Sequence, residues 1–213
     1  MKNIVAALSL VTIIALGNSA LAADADGFRP LFNGKDLAGW HLRNPRGHNS
    51  WTVENGVLKN TVNPGEHGTD LVTDSKFFNF TVKYDFMVPD GSNSGFYLRG
   101  RHELQIFGDY ESGKPTKNGN GAIYNFKAPD VFASKPGGEW QKAEATIVGD
   151  RITVVLNGKK IHDNVECKVA TGSEIDRNIS EPGPIFLQGD HGTVSFRNIM
   201  IKELPFEAPP RLR

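Results

Sequence analysis

Three observations predict an all-β fold, a sandwich of two antiparallel sheets, for this chain of 213 residues. Short runs in which apolar and polar residues alternate recur along the chain, and Gly, Asn, Asp and Pro stand between them. Helix signals are scarce. About ten or more strands in one continuous chain fit two packed sheets, because no linker or internal repeat divides the sequence.

The first 22 residues have the pattern of a cleaved secretory signal peptide. Lys2 precedes an apolar run over residues 4–16, and Ala20-Leu21-Ala22 has the small-x-small form of a cleavage site. A membrane anchor is the alternative, but a spanning helix needs about 20 apolar residues. We therefore expect cleavage after Ala22, a periplasmic or secreted protein, and no insertion into a membrane.

The mature chain is expected to form a single β-sandwich domain over residues 23–204, followed by a flexible, proline-containing tail at 205–213. Cys167 is the only cysteine, which excludes intramolecular disulfides and a cysteine-based metal cluster. The 24 Lys and Arg residues equal the 24 Asp and Glu residues in number, and no block of like charge stands out. This balance argues against a nucleic-acid partner and favours a neutral one.

The strands are predicted, in chain order, from turn signals and alternation. Asn55-Gly56 and Asn157-Gly158 each stand between strand-like flanks, which is the strongest short-range signal for a hairpin. The run from residue 78 to 88 alternates apolar with polar side chains and predicts a half-buried strand. Further strands are expected near residues 71–73, 122–125, 141–148, 185–188 and 194–203.

Two segments depart from plain strands and connectors. Arg197-Asn198 interrupts the apolar alternation of the last strand, which predicts a β-bulge near a sheet edge. Residues 108–139 are rich in Gly, Lys, Asn and Pro and are longer than a plain connector in a compact domain. Loops of this length are often functional.

Residues 93–109 hold the most informative pattern, two short strands that deliver polar side chains to one face. Phe96 and Leu98 alternate with Tyr97 and Arg99 in the first strand, and Leu104 and Ile106 with Glu103 and Gln105 in the second. A three-residue loop at 100–102 would set Arg99 opposite Glu103 and Tyr97 opposite Gln105. These four polar side chains on one face suit the recognition of hydroxyl-rich ligands. The alternative is a plain ion pair of Arg99 with Glu103 on a solvated face.

A series of motifs in a fixed order carries a resemblance to a known family. The motifs are residues 27–40 and 183–199 at the two ends and, between them, 93–95, 103–105, 121–124, 135–140 and 156–158. In this order the chain resembles the 3-keto-disaccharide hydrolase domain family over essentially all of its mature length. It departs from the family pattern at Gly108, where an acidic residue is usual and Asp109 follows instead. The family's Trp-Asn pair is here Trp140-Gln141.

The resemblance implies a concanavalin A-like jelly roll in an exported enzyme that cleaves glycosides whose C3 hydroxyl has been oxidised to a ketone. Such a ketone acidifies the proton on C2, so removal of that proton can expel the C1 substituent by β-elimination. We interpret Glu103 as the base, His191 as the second acid/base group, and Arg99 with Tyr124 as stabilisers of the enolate oxygen. The other candidate substrate-binding residues are Tyr97, Gln105, Asp109, Trp140, Gln188, Asp190 and Asn93.

Several alternatives stay open at this stage. Ordinary glycoside hydrolysis needs two carboxylates, which Glu103 with Asp109 or Glu139 could supply. A noncatalytic carbohydrate-binding domain of the same fold would need no acid/base pair, and an interaction domain would expose a large apolar patch. No metal-binding motif or glycine-rich phosphate loop is present, so no nicotinamide cofactor is expected. A divalent ion held by Glu103, Asp109 or His191 from separate loops remains open.

The pairing with Arg99 also predicts that the carboxylate of Glu103 is exposed. An exposed ion pair contributes about 0 to 1 kcal/mol to stability. We therefore expect Glu103→Gln to leave the fold and its stability almost unchanged.

Overall fold

The computed structural model describes residues 23–63 and 65–205, and within them the chain forms two antiparallel sheets. These residues contain one short 3-10 turn, Tyr110–Ser112, and no α-helix. The all-β, two-sheet sandwich predicted from the sequence is therefore confirmed.

The expected signal peptide at residues 1–22 lies outside the described residues, as does all of the expected tail except Pro205. No helix in the described part of the chain is long and apolar enough to cross a membrane.

Thirteen strands make up the described part of the fold. In chain order they are β1 (Arg29–Pro30), β2 (Trp40–Leu42), β3 (Trp51–Glu54), β4 (Val57–Asn60), β5 (Leu71–Thr73), β6 (Phe80–Met87), β7 (Asn93–Leu98), β8 (His102–Phe107), β9 (Gln141–Val148), β10 (Arg151–Leu156), β11 (Lys159–Glu166), β12 (Phe186–Leu187) and β13 (Val194–Glu203). The larger sheet has the order β11-β10-β9-β6-β13-β4-β3, with β1 also paired to β13. The smaller sheet has the order β2-β5-β12-β7-β8.

Local turn chemistry explains two of the hairpins. Asn55 and Gly56 connect β3 to β4, and Asn157 and Gly158 connect β10 to β11. All four residues have positive φ, which is what a two-residue turn matched to the strand twist requires. The two hairpins predicted from these dipeptides are confirmed.

The β-bulge predicted at Arg197-Asn198 is present, because the pairing of β13 with β6 shifts register between Arg197 and Met200. Its expected place near a sheet edge is wrong, since β13 lies between β6 and β4. The strand expected near residues 122–125 is also absent. Ile123 forms only isolated bridges, and the chain turns back at Asn125, whose φ is 55°.

The core lies between the two sheets and is built from the inward side chains of both. Tyr84 of β6 stacks on Phe96 of β7, with ring centroids 3.9 Å apart, and so joins the larger sheet to the smaller one. Phe96, Leu98, Leu104 and Ile106 are all buried in this core, as their alternation predicted. The outer face of the smaller sheet therefore carries the intervening side chains.

The register of the β7–β8 hairpin differs from the prediction. Tyr97 pairs with Glu103, and Leu98 with His102, so the loop is residues 99–101 instead of 100–102. The physical reason is that Arg99 itself adopts a left-handed conformation (φ 53°), followed by Gly100 (φ 64°), which turns the chain one residue early. The predicted pairings of Arg99 with Glu103 and of Tyr97 with Gln105 are wrong. Because the loop length is still odd, Tyr97, Glu103 and Gln105 keep the predicted face.

Candidate active site

The outer face of the smaller sheet borders a cavity of about 420 Å³. This volume lies in the range of small-molecule binding sites. Residues of β7 and β8, with Gln188 directly after β12, form its floor, and two loops that are distant in sequence form its walls. The predicted site residues that line it are Asn93, Glu103, Gln105, Tyr124, Gln188 and His191.

Glu103 is the carboxylate of this cavity, and it is almost completely buried, with 3% of its surface exposed. Burial raises the pKa of Glu103 to about 7, although a hydrogen bond from the Tyr97 hydroxyl and the nearby His191 lower it. Asp190 and Asp70 add to the rise through charge repulsion. A carboxyl group in this state can accept or release a proton near neutral pH.

The expectation that Glu103 is exposed is wrong, because a loop that we name the cover loop, residues 169–176, lies over it. Gly172 of this loop leaves no room for a side chain, since a Cβ there would meet the Glu103 carboxylate and the Tyr97 hydroxyl. The backbone N–H of Glu103 donates to Thr171 Oγ1 at 2.9 Å. The backbone N–H of Ser173 donates to the Tyr97 hydroxyl, also at 2.9 Å. The tyrosine is thus fixed between the loop and the carboxylate.

Two arginines hold the cover loop in place. Arg43 donates to the carbonyl oxygens of Ser173 and Glu174 at 2.8 and 3.0 Å, and its guanidinium lies 5.1 Å from the centre of the Phe186 ring. Arg101 binds the Asp176 carboxylate through two nitrogens, at 2.6 and 2.9 Å. The two arginines therefore hold the part of the loop that directly follows Gly172, the residue that covers Glu103.

Tyr97 completes the support beneath the carboxylate without lining the cavity itself. Its ring stacks on Phe186 of β12 with centroids 3.9 Å apart, and burial raises the pKa of its hydroxyl. The phenol therefore stays protonated and donates to Glu103.

His191 lies at the mouth of the cavity and is half exposed. Its Nδ1 bonds to the Asp190 carboxylate, which leaves Nε2 as the other ring nitrogen. Asp190 does not line the cavity; it holds His191 from behind. The turn that carries both residues is fixed by Asp70, whose carboxylate accepts the Gly189 N–H at 3.0 Å and binds Arg43 at 3.3 Å. Burial raises the pKa of Asp70.

Two amide side chains of the cavity wall have a buried oxygen without a hydrogen-bond partner. Asn93 Oδ1 and Gln188 Oε1 are buried and have no hydrogen-bond partner in the described structure, and Gln188 is only 5% exposed. A buried acceptor without a partner costs about 1–3 kcal/mol. Gln105 differs, because its amide already bonds to the Asn118 carbonyl and the Ile106 N–H.

The long loop predicted to be functional contributes the remaining wall. Its Tyr124 N–H donates to the Glu103 carbonyl at 3.0 Å, which sets Tyr124 beside the edge strand β8. Tyr124, Asn125 and Phe126 then line the cavity next to Glu103.

Three residues predicted for the site lie elsewhere. Arg99 is fully buried, donates to the Gly149 carbonyl in a turn of the larger sheet and does not line the cavity, because it belongs to the hairpin loop. Asp109 accepts the Asn120 N–H and the Ser134 hydroxyl at 2.9 and 2.8 Å and so fixes the long loop.

Trp140 is the third of these residues. The centre of its ring lies 4.0 Å from the Arg197 guanidinium, and Trp140 is not part of the cavity wall.

Asp109 also does not line the cavity that contains Glu103 and His191, which removes one of the three metal ligands considered from the sequence. Among the described residues, no group of three or more His, Cys, Asp or Glu side chains is placed to hold a metal ion.

Arg43, Asp70 and the cover loop are parts of the site that the sequence did not predict. Nothing in the composition of residues 170–173 indicates that they contact Glu103, which lies 68 residues before Thr171. Only the pairing of distant segments brings them together.

Replacement of Glu103 by Gln is expected to raise stability at pH 8 and to leave it nearly unchanged at pH 4. In the unfolded chain the carboxyl loses its proton near pH 4.5, and in the folded chain near pH 7, so the native protein loses stability as pH rises through this window. The full difference is up to about 3 kcal/mol. Urea unfolding at both pH values measures it, with Glu54→Gln, an exposed glutamate outside the cavity, as control. A variant no more stable than wild type at pH 8 would contradict the buried carboxyl.

Comparisons with known proteins show the family of this chain. A curated 3-keto-disaccharide hydrolase from Bacteroides thetaiotaomicron is 30% identical over 158 residues, 60% of this chain, and the aligned region spans 54% of that relative's length. Two crystal structures from Parabacteroides distasonis, provisionally named glycosyl hydrolases, are 27% and 28% identical with TM-scores of 0.68 and 0.67. The first comparison covers 85% of this chain and 96% of the other, and the second 84% of each. A family model matches residues 27–202, so the chain belongs to the 3-keto-alpha-glucoside-1,2-lyase-like domain family.

Proposed function

We propose that this protein cleaves the glycosidic bond of glycosides that carry a ketone at C3, by removal of the C2 proton and β-elimination. The observation that carries the proposal is a buried carboxylate, Glu103, in the same cavity as His191. The family supports the substrate class, and the Bacteroides relative is named for the same class. Export to the periplasm or the medium fits the N-terminal pattern and stays a prediction.

The reaction divides into two steps. Glu103 takes the proton from C2, and the electrons of the C–H bond form an enolate with the C3 ketone. The enolate then re-forms the ketone, a double bond forms between C1 and C2, and the C1–oxygen bond breaks. His191 gives a proton to the departing oxygen. The products are an alcohol or sugar and a 1,2-unsaturated keto sugar, which addition of water converts to the free keto sugar.

Each role matches an observed environment. The pKa of Glu103, about 7, makes it a stronger base than an ordinary carboxylate, while enough of it is ionised at neutral pH. Tyr124 lines the cavity, and we assign its hydroxyl as a donor to the developing enolate oxygen. Asn93 and Gln188 line the same cavity with amide side chains, a group that can bind sugar hydroxyls. Arg99, which lies outside the cavity, has no part in this scheme.

The number of carboxylates favours elimination over ordinary glycoside hydrolysis. A conventional glycosidase places two carboxyl groups on opposite sides of the bond. Glu103 is the one carboxylate among the described residues that line the cavity. Asp109 and Glu139, the partners considered from the sequence, are absent from that wall. A ketone at C3 removes the need for a second carboxylate, because the charge develops on the enolate oxygen.

Matched glucosides and 3-keto-glucosides test the substrate directly. We expect the purified protein to cleave the keto form and not the parent glycoside, and to retain this preference with and without a chelator.

Glu103→Gln should lower turnover about a hundredfold or more, because general-base catalysis contributes at least that much. Glu54→Gln serves as the control, since Glu54 is exposed and outside the cavity. Equal cleavage of both glycosides would contradict the proposal.

The contact of Gly172 with Glu103 gives a second test. Gly172→Ala is expected to lower kcat at least about tenfold, because the added methyl group must displace the carboxylate from its place. Gly138→Ala is the matched control: Gly138 has a similar positive φ, 80° against 71°, but open space around its Cβ position. Both variants bear a similar backbone strain. Equal activity of the two variants would show that the carboxylate position does not depend on the cover loop.

A further inference from the structure

Two features that the sequence singled out have no part in the active site, Trp140 and the β-bulge at Arg197-Asn198. The Arg197 guanidinium lies 4.0 Å from the centre of the Trp140 ring, and its Nε donates to Asp85 Oδ2 at 3.1 Å. Asn198 Nδ2 donates to the same carboxylate oxygen at 2.9 Å. Both features thus converge on Asp85, a carboxylate of strand β6 that is only 8% exposed.

Asp85 lines a cavity of about 360 Å³ on the outer face of the larger sheet, which we name the larger-sheet cavity. Its neighbours in the strand, Tyr84 and Phe86, point into the core, so Asp85 points away from it. Four adjacent strands, β10, β9, β6 and β13, contribute to the wall. No described residue lines both this cavity and the one that contains Glu103. The volume lies in the range of ligand-binding sites.

The β-bulge forms part of the wall of the larger-sheet cavity. Two residues of β13, Asn198 and Ile199, stand opposite the single residue Tyr84 of β6. Asn198 has a φ of 53°, a conformation that is costly for a residue other than glycine. The bulge places the Asn198 side chain beside Asp85 and in the cavity wall. Bulges often re-aim side chains in this way next to functional sites, and the active site on the other sheet does not use this one.

We propose that the larger-sheet cavity is a second, noncatalytic binding site, and that its ligand is a neutral polysaccharide chain. The described wall holds two carboxylates, Asp85 and Glu144, and two lysines, Lys83 and Lys142. The carboxylates repel an anionic ligand and the lysines repel a cationic one, so the balance of charge favours a neutral ligand. The inference does not rest on the proposed function, because the two cavities share no described lining residue.

Hydrogen-bonding chemistry and length both favour a sugar chain. Sugar hydroxyls donate to carboxylates and accept from ammonium and amide groups, and Met200 and Val155 supply apolar surface for the C–H face of a sugar ring. The four strands span about 14 Å, three spacings of about 4.8 Å, which is longer than one sugar ring. Asp85 is already ion-paired and Glu144 is exposed, so the described wall has no counterpart of the buried base Glu103. Such a site would hold the protein on a polysaccharide while the active site stays free.

Native electrophoresis at alkaline pH, through gels that contain a polysaccharide, tests this inference. A glucan, a mannan and a xylan are the neutral polymers, one in each gel, and polygalacturonate is the anionic comparison. We expect at least one neutral polymer to slow the wild type, and polygalacturonate to leave its mobility unchanged. Lys142→Ala/Asn198→Gly should raise the dissociation constant for that neutral polymer at least about tenfold, because an ammonium and an amide leave the wall. Glycine at position 198 still suits the positive φ of the bulge.

Lys59→Ala/Asn164→Gly is the matched control and should bind like the wild type. Lys59 is an exposed lysine on the same sheet, and Asn164 is an exposed asparagine with a φ of 50°. Neither residue lines the larger-sheet cavity or the active site. Glu144→Trp, whose indole occupies part of the larger-sheet cavity, is a second variant that should weaken binding.

Activity separates the two sites. Lys142→Ala/Asn198→Gly and Glu144→Trp should cleave a 3-keto-glucoside at the wild-type rate, and Glu103→Gln should lose cleavage but keep its binding to the polysaccharide. The assignment is overturned if no neutral polymer slows the wild type, if polygalacturonate slows it more, if both cavity variants bind like the wild type, or if Glu103→Gln loses binding. Binding without any cleavage by the wild type would refute the proposed function alone.

Discussion

The chemistry proposed here depends on one contact, the burial of the Glu103 carboxylate between the Tyr97 hydroxyl and Gly172. Loss of water around the carboxylate raises its proton affinity, and the tyrosine hydrogen bond keeps it oriented. An exposed glutamate on the same strand would be a weak base with several orientations. The site thus gains basicity at some cost in stability, as is common for catalytic groups.

The fold supplies this environment in two layers. The hairpin of β7 and β8 places Tyr97 directly opposite Glu103 on the outer face of the smaller sheet. Stacking on Phe186 then keeps Tyr97 in position from the neighbouring strand. The cover loop forms the second layer, and Arg43 connects it to Asp70, which in turn fixes the turn that carries His191. One arginine therefore links the elements that position both proposed proton-transfer groups.

The alternation of apolar and polar residues, together with the turn residues, predicted those features of the fold that depend on residues close together in sequence. Alternation alone put Phe96 and Leu104 in the core and Glu103 on the opposite face, and Asn-Gly pairs located two turns. The register of the β7–β8 hairpin was not predicted, because an arginine seldom adopts positive φ and Arg99 does so here. The burial of Glu103 was not predicted either, because the cover loop is distant from Glu103 in sequence and has an ordinary composition.

Direct titration of the Glu103 side chain is the measurement that tests this contact most closely. Carbon-13 NMR of the carboxyl group, assigned by comparison with Glu103→Gln, would follow its protonation from pH 3 to pH 9. A midpoint near pH 7 is expected, because burial outweighs the stabilising hydrogen bond from Tyr97. A midpoint near 4.5, the ordinary value for a glutamate, would mean that water reaches the carboxylate and would contradict its role as a buried base.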